Sequence, residues 1–343
     1  MRKKKILYIC GSINQTTMLH KISLSLPDHE HYFSAYYSDG IEKLTARLGI
    51  LNFTVLAGEF KKQTENYFAV NKLNVDYEGK KNDYDLVVIC SDLIVPKNIR
   101  DKKIVMVQEG MTDPENIFYH MVRKFKIASY WGGTAATGQS DRYIYFCVAS
   151  EGYRELFIKK GVKPEKIIVT GIPNFDNCEA SLKNDFPHRN YTLVCTSDSR
   201  ETLKYENRKK FILKALKLSE GMPLIFKLHP NENVTRASRE IKKWAPGSLI
   251  FSEGNTNEMI ANCDILITSY STVVYVGIAL GKKVYSAFDL EEIKKLLPIQ
   301  NGGKSAGKIA DVCLELLGEK PLNEKQFTVT GENDKLNITF QTA

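Results

Sequence analysis

Short apolar runs alternate with longer amphipathic runs along the chain, and this alternation predicts its secondary structure. In the first half, six runs rich in Val, Ile and Tyr predict β-strands: Lys5–Cys10, His31–Tyr37, Asp85–Cys90, Lys103–Val107, Tyr143–Ala149 and Lys166–Thr170. Helical periodicity between them predicts helices at Ile41–Leu48, Glu115–Lys126 and Glu151–Lys160. Strands that alternate with helices are typical of βαβ units and a mainly parallel sheet.

A polar stretch at 171–190 interrupts this pattern, and a second series of the same kind follows it. Its predicted strands are Tyr191–Cys195, Leu224–Leu228, Leu249–Phe251, Asp264–Thr268 and Lys283–Ala287. Its predicted helices are Asn207–Leu218, Thr235–Trp244, Thr256–Ala261, Thr272–Leu280 and Gly307–Leu317. We therefore expect two doubly wound, Rossmann-like α/β domains, at 1–175 and 176–322, that face a cleft, with a polar tail at 323–343.

Composition narrows the class of protein. Hydrophobic residues make up 43% of the 343 residues, which is enough for two cores. The formal charge of +8 is compatible with nucleic acid, an anionic membrane or a phosphorylated substrate, but no basic run is interleaved with aromatics, so nucleic acid is not expected. The seven cysteines form no CxxC pair, and the apolar run Ile6–Cys10 is too short for a signal-peptide core. These features predict a cytoplasmic protein that contacts the inner membrane face through its basic residues.

Ligands of open parallel sheets bind beyond the carboxyl ends of the strands, so the loops there are the first place to look for chemistry. In the second domain His229 follows a strand directly, and its imidazole can donate a hydrogen bond to a phosphate. Hydroxyl-rich loops follow two further strands and open onto helices, although Ser and Thr are also ordinary helix caps. The candidate ligand-binding residues around His229 are Lys227, Pro230, Thr196, Ser197, Arg200, Glu253, Ser269, Ser271 and Thr272.

In the first domain an acidic loop follows the strand that ends at Val107. A carboxylate held beside Gly110 can accept a proton from a hydroxyl, so Glu109 is the first candidate for a general base and Asp113 the second. Asp113 is also a plausible N-cap for the next helix. The loop after the first strand lacks the GxGxxG fingerprint of dinucleotide-binding proteins. Gly11, Ser12 and His20, in that loop and the helix after it, are candidates for the acceptor side.

Taken together, these motifs resemble those of GT-B glycosyltransferases, and among them the bacterial sialyltransferase-like and capsule-forming groups. That resemblance rests on Gln108-Glu109-Gly110, His229-Pro230 and Ser269 to Thr272, in this order. It implies that Glu109 is the base, that His229 contacts the donor phosphate and leaving group, and that the hydroxyls bind phosphate. The departure is Gln108, where the family has an acidic residue. The segment 169–176 is also similar to the domain junction of polyol-phosphate transferases and UDP-N-acetylglucosamine 2-epimerases.

The expected function is therefore inverting transfer of a sugar from a CMP- or UDP-linked donor to a surface glycan or a lipid-linked acceptor. The sequence has no DxD-like motif in a suitable loop, so we expect neither a metal nor a resident cofactor; the nucleotide-sugar is a co-substrate. A polyol-phosphate transferase and a sugar-nucleotide 2-epimerase remain alternatives with the same fold. A non-catalytic nucleotide-sugar-binding subunit is an alternative from another class.

Overall fold

A computed structural model describes residues 2–52, 54–115, 117–125, 129–202 and 205–319. The first sheet has six parallel strands in the order β2-β1-β3-β4-β5-β6. These strands are β1 (Lys5–Cys10), β2 (Glu30–Ala35), β3 (Leu86–Ile89), β4 (Ile104–Val107), β5 (Tyr145–Val148) and β6 (Ile167–Val169). Each begins and ends within two residues of the strand predicted from the sequence. The central strands β3 and β4 are apolar and buried along their whole length, as expected for strands covered on both faces.

The connections of this sheet are helical. They are α1 (Ile13–Leu24), α2 (Gly40–Arg47), α3 (Gly58–Val70), α4 (Ile117–Phe125) and α5 (Glu151–Lys159). The glycine-rich stretch after α4 is a 3-10 turn at Ser129–Ala136 whose Ala135 and Ala136 are fully buried. The turn packs against α4.

The second sheet has five parallel strands in the order β11-β10-β7-β8-β9. They are β7 (Thr192–Cys195), β8 (Leu224–Lys227), β9 (Leu249–Phe251), β10 (Ile265–Thr268) and β11 (Lys283–Tyr285). The helices of this half are α6 (Arg208–Leu218), α7 (Val234–Trp244), α8 (Thr256–Asn262), α9 (Val273–Ala279), α10 (Leu290–Lys295) and α11 (Ser305–Leu317). The predicted architecture of two doubly wound α/β domains is thus confirmed.

The last helix returns to the first sheet. Helix α11 packs against α1 and β3, and its Cys313 is fully buried there. The segment before it is bonded to the domain junction, since the Ser305 amide donates to Asp176 Oδ2 over 2.8 Å. The predicted domain boundaries follow the order of residues along the chain, and they place α11 in the second domain. The predicted tail at 323–343 lies outside the described residues.

Two global features bear on the later argument. All seven cysteines are buried and free, as expected from their positions in apolar runs. None of the helices in the described ranges is long and apolar enough to span a membrane.

Candidate functional site

The loop after β4 is held in place by the side chain of Gln108, which is 1% exposed. Its Oε1 accepts a hydrogen bond from the Ala149 amide over 2.9 Å, and its Nε2 donates to the Gly110 carbonyl over 2.7 Å. A carboxylate could accept the first bond but could not donate the second, because an ionised carboxylate has no proton to give. The amide at this position therefore fixes the course of the chain on either side of Glu109.

The Glu109 side chain turns toward the beginning of α1. Ser12 Oγ donates to one carboxylate oxygen over 2.7 Å, and Gln15 Nε2 donates to the other over 2.6 Å. Ser12 is also the N-cap of α1, so the carboxylate lies at the positive end of the helix dipole. A Cβ on Gly11 would lie 2.6 Å from Gln15 Oε1, so a larger residue here would displace the side chain that bonds Glu109. The structure thus brings Gly11 and Ser12 together with Glu109.

Two other residues predicted for the first domain lie apart from this group. His20 Nδ1 is 3.0 Å from the Tyr67 hydroxyl, on the side of α1 that faces α3. Burial there lowers the pKa of His20. The Asp113 carboxylate accepts a 2.7 Å hydrogen bond from Thr134, in the 3-10 turn after α4. Their catalytic and acceptor-side roles stay predictions.

His229 lies in the turn after β8, and its ring is held in a defined orientation. Its main-chain amide donates to Thr196 Oγ1 over 3.1 Å, and its Nδ1 accepts from the Asn231 amide over 3.3 Å. An Nδ1 that accepts leaves the proton of the neutral ring on Nε2. Burial lowers the pKa of His229, and the Asp198 carboxylate 3.6 Å from Nδ1 partly opposes that shift. The ring is 34% exposed, so Nε2–H can donate to an anionic ligand.

Beneath this turn lies a buried polar network. Thr196 Oγ1 donates to Glu232 Oε2 over 2.5 Å, and Arg208 donates to Glu232 Oε1 over 2.5 Å. The side chains of Glu232 and Arg208 are 0% and 3% exposed. Arg200, predicted to bind phosphate, makes a bidentate pair with Glu240 at 2.9 and 2.8 Å. Thr196 and Arg200 are therefore used inside the domain, and their role as ligand contacts stays a prediction.

Other predicted donor-side residues border the same turn. Lys227 is 5% exposed and donates to the carbonyls of Leu228 and Ser252 over 3.0 and 2.9 Å. Burial lowers its pKa, and the bonds join the loops after β8 and β9. Glu253 and Pro230 are exposed at the edge of these loops. Ser197 is almost buried, and its hydroxyl bonds that of Ser199 at 2.9 Å.

The loop after β10 approaches the Glu109 loop from the other domain. A Cβ on Gly110 would lie 3.1 Å from Thr272 Cγ2, so the two loops are in contact. The Ser269 carbonyl accepts from the Ser286 hydroxyl over 2.9 Å, which anchors the start of the loop. The half-buried hydroxyls of Ser271 and Thr272 lie beside this contact.

Further contacts join the two domains around this junction. Gln63 on α3 donates to Asn231 Oδ1 over 3.3 Å, so the His229 turn faces the first domain. The hydroxyls of Tyr153 on α5 and Tyr275 on α9 are hydrogen-bonded. Sequence reasoning missed Gln63 because α3 was not predicted. It missed Asn231 as a ring-orienting residue, although that residue follows the predicted His229-Pro230 motif.

Proteins of known structure share the fold of this chain. No protein-family profile and no curated protein matches the chain. A putative UDP-N-acetylglucosamine 2-epimerase from Listeria monocytogenes is similar in structure, with a TM-score of 0.58 and 13% identity over 94% of this chain and 99% of that chain. The UDP-GlcNAc 2-epimerase from Neisseria meningitidis, bound to UDP-GlcNAc, has a TM-score of 0.56 and 13% identity over 91% and 100%. A variant of the wall teichoic acid polymerase TagF has a TM-score of 0.51 and 13% identity over 92% and 89%.

These likenesses establish the fold. The chain has the GT-B architecture, and the similarity to UDP-N-acetylglucosamine 2-epimerases seen at the domain junction is confirmed at that level. At 12–13% identity they carry the fold and no more.

Proposed function

We propose that the chain is a transferase that moves a sugar from a nucleotide-activated donor to a hydroxyl of a glycan or lipid-linked acceptor. The observation that supports this most is that two loops with different functional groups approach each other across the domain junction. One carries the Glu109 carboxylate, and the other domain presents the His229 ring together with the hydroxyls of Ser271 and Thr272.

The proposed chemistry follows from the charges of these groups. The Glu109 carboxylate accepts the proton of the acceptor hydroxyl while that oxygen bonds to the anomeric carbon. The bond from this carbon to the phosphate oxygen breaks, and the electron pair leaves with the nucleotide. Nε2–H of His229 donates a hydrogen bond to the phosphate as its charge grows, which stabilises the transition state more than the ground state. Attack from the face opposite the phosphate inverts the anomeric centre.

One observation favours a second candidate, a sugar-nucleotide 2-epimerase. The likeness to solved epimerases extends over 94% of this chain and 98–99% of theirs, so the chain has the same overall extent. An epimerase would convert its nucleotide-sugar without an acceptor, and a transferase needs one. Analysis of products with and without acceptor therefore separates the two functions.

The first test is a thermal-shift screen with CMP, CDP, UDP, GDP and dTDP. We expect one nucleotide to raise the Tm of the wild type. At a concentration 100 times its Kd, it should increase the free energy of unfolding by about 2.7 kcal/mol. His229→Ala should lose most of this shift, and His120→Ala, whose side chain is 63% exposed on α4, should keep it. If no nucleotide stabilises the wild type, the proposed donor site is wrong.

The second test is chemical. Turnover of the identified donor in the presence of EDTA would support transfer without a metal. Nucleotide binding that persists with no turnover of any donor, and is unaffected by Glu109→Gln, would instead support a non-catalytic binding subunit.

A further inference from the structure

Helix α2 exposes an apolar face to the outside of the first domain. None of the residues of this eight-residue helix is buried. Ile41, Leu44 and Leu48, spaced so that they share one face, are 77%, 57% and 66% exposed. A helix of this size in a globular domain ordinarily buries its apolar face against the core. The side chains of Ile41, Leu44 and Leu48 are therefore not packed into the core of the protein.

Helix α4 and the 3-10 turn after it expose a second set of apolar side chains. Phe118 and Phe125 are 51% and 62% exposed, and Ile117 and Met121 on the same helix are 70% and 40% exposed. In the turn, Trp131 is 59% exposed, and its ring lies 5.7 Å from that of Tyr130. The opposite face of α4 packs against the turn, where Tyr119 and Val122 are buried.

These two sets adjoin each other. Burial and the nearby carboxylate of Glu42 on α2 raise the pKa of Tyr130, and the turn that carries Tyr130 packs on α4. We call the exposed apolar residues of α2, α4 and the turn the apolar surface: Ile41, Leu44, Leu48, Ile117, Phe118, Met121, Phe125, Tyr130 and Trp131. Contiguous exposed apolar groups of this kind mark an interaction site.

Cations border the apolar surface. Lys43 and Arg47 of α2 line a cavity of about 290 Å³ with Lys61 and Lys80. Glu78 in this cavity pairs with Lys43 and Lys80, so its lining holds four cations and one carboxylate. On α4, Arg123 and Lys124 are exposed in the last turn. Basic side chains of both helices therefore stand beside the apolar residues.

We propose that the apolar surface docks the protein onto an anionic lipid bilayer. Amphipathic helices that combine bulky apolar residues with Lys and Arg lie in the membrane interface, and Trp and Tyr favour the headgroup level. Long basic side chains beside them can reach lipid phosphates. Basic residues of α2 and α4 border the apolar residues, and their charge complements the phosphates of an anionic bilayer.

The position of the surface gives it a functional consequence. The turn that carries Trp131 is bonded to Asp113 through Thr134, and Asp113 lies in the loop that begins at Gln108 and contains Glu109. A membrane that contacts this surface therefore lies next to the far end of the loop that carries the proposed base. The inference that the acceptor is lipid-linked rests on the proposed transferase function; the docking itself does not.

The first experiment is co-sedimentation of the full chain with vesicles of phosphatidylcholine, with and without 30 mol% phosphatidylglycerol. Wild type should bind only the anionic vesicles. Leu44→Ser with Leu48→Ser should weaken binding at least tenfold, whereas Leu213→Ser with Leu216→Ser, on α6 at 44% and 38% exposure, should leave it unchanged. Arg47→Gln with Lys124→Gln should weaken binding about 30-fold. Each cation near an anionic surface contributes about 1 kcal/mol, which is about fivefold in affinity, and two such factors multiply. Equal binding by both leucine variants would overturn the proposal.

The second experiment locates the contact. The chain has two tryptophans, so Trp244→Phe leaves Trp131 as the single reporter. Its emission should shift to shorter wavelength with anionic vesicles and should be quenched by brominated lipids. Vesicle binding with Trp131 still in water would place the contact elsewhere and overturn the proposal. A blue shift that grows with protein concentration without vesicles would overturn it in favour of a second copy of the chain.

These results are separable from those of the nucleotide screen. Nucleotide stabilisation that depends on His229 without vesicle binding would remove the docking proposal and leave the proposed function intact. Vesicle binding without nucleotide stabilisation would do the reverse.

Discussion

Replacement of Arg208 by Met removes one partner of the buried ion pair beneath the His229 turn. Arg208 donates to Glu232 and to the Ser197 carbonyl, and it lies 3% exposed. After the replacement the Glu232 carboxylate, fully buried, keeps the hydrogen bond from Thr196 and a longer contact of 3.7 Å with Arg200. Since that same Thr196 hydroxyl accepts from the His229 amide, the change should disturb the turn as well as the core.

The expected cost is large because the buried Glu232 carboxylate loses the cation that is hydrogen-bonded to it. Breaking a buried pair from one side costs about 3–5 kcal/mol, a large part of the 5–15 kcal/mol by which native proteins are stable. The matched control is Arg200→Met. Its pair with Glu240 is bidentate but 19% and 30% exposed, and its contact with Glu232 is longer, at 3.7 Å, so we expect a loss of about 1 kcal/mol.

The loss should also depend on pH with a defined sign. Burial raises the pKa of Glu232 even in the presence of Arg208, and the loss of Arg208 removes the largest opposing effect. The folded variant then binds a proton that the unfolded chain has released, so its free energy of unfolding falls as pH rises. The deficit relative to wild type should be small below about pH 4.3 and grow as pH rises through the raised pKa.

Urea unfolding measured by Trp244 fluorescence, in a Trp131→Phe background, reports the second domain. Arg208→Met combined with Glu232→Gln should recover most of the lost stability, because the fully buried carboxylate is then neutral as well. A deficit that is equal for Arg208→Met and Arg200→Met, or that does not change with pH, would refute the account of the network.

Two further predictions concern the domain junction. Gly152→Ala would place a Cβ 1.9 Å from the Lys295 carbonyl oxygen, so thermal unfolding should show a loss of stability of about 1–3 kcal/mol. Gly307→Ala lies in open space on α11 and should gain about 0.5–1 kcal/mol of stability; equal effects of the two changes would contradict the packing. Tyr153→Phe leaves the buried Tyr275 hydroxyl without its partner and should cost about 1–3 kcal/mol. Tyr275→Phe should cost less, because the Tyr153 hydroxyl also interacts with Gln108, and a double-mutant cycle should show coupling; additive losses would exclude a shared bond.

The strands could be predicted from the sequence, and some helices could not, for a physical reason. The central strands of both sheets are buried and mostly apolar, so composition marks them. Helix α3 buries only Thr64 and Phe68, and it therefore shows little apolar periodicity. Helix α10 has six residues, four of them charged, and it too shows no such pattern. The return of α11 to the first sheet depends on contacts distant in sequence, which periodicity does not report.

The candidate site shows the same division. Position after a strand was enough to select Glu109 and His229, because the carboxyl ends of parallel strands meet at one edge. It could not show how the neighbouring side chains are used. The structure assigns Arg200 and Thr196 to contacts inside the domain, and it assigns Gln108 to holding the loop. Polar residues in loops look alike in a sequence until their partners are known.

The most direct test of the central claim is to measure binding and turnover separately in Glu109→Gln and His229→Ala. With the donor found in the nucleotide screen, Glu109→Gln should bind the nucleotide with unchanged Kd and lose about 10²–10⁴-fold in kcat, because it keeps its shape and loses the base. His229→Ala should weaken nucleotide binding. Full turnover by Glu109→Gln, or unchanged nucleotide binding by His229→Ala, would contradict the division of base and donor site between the two domains.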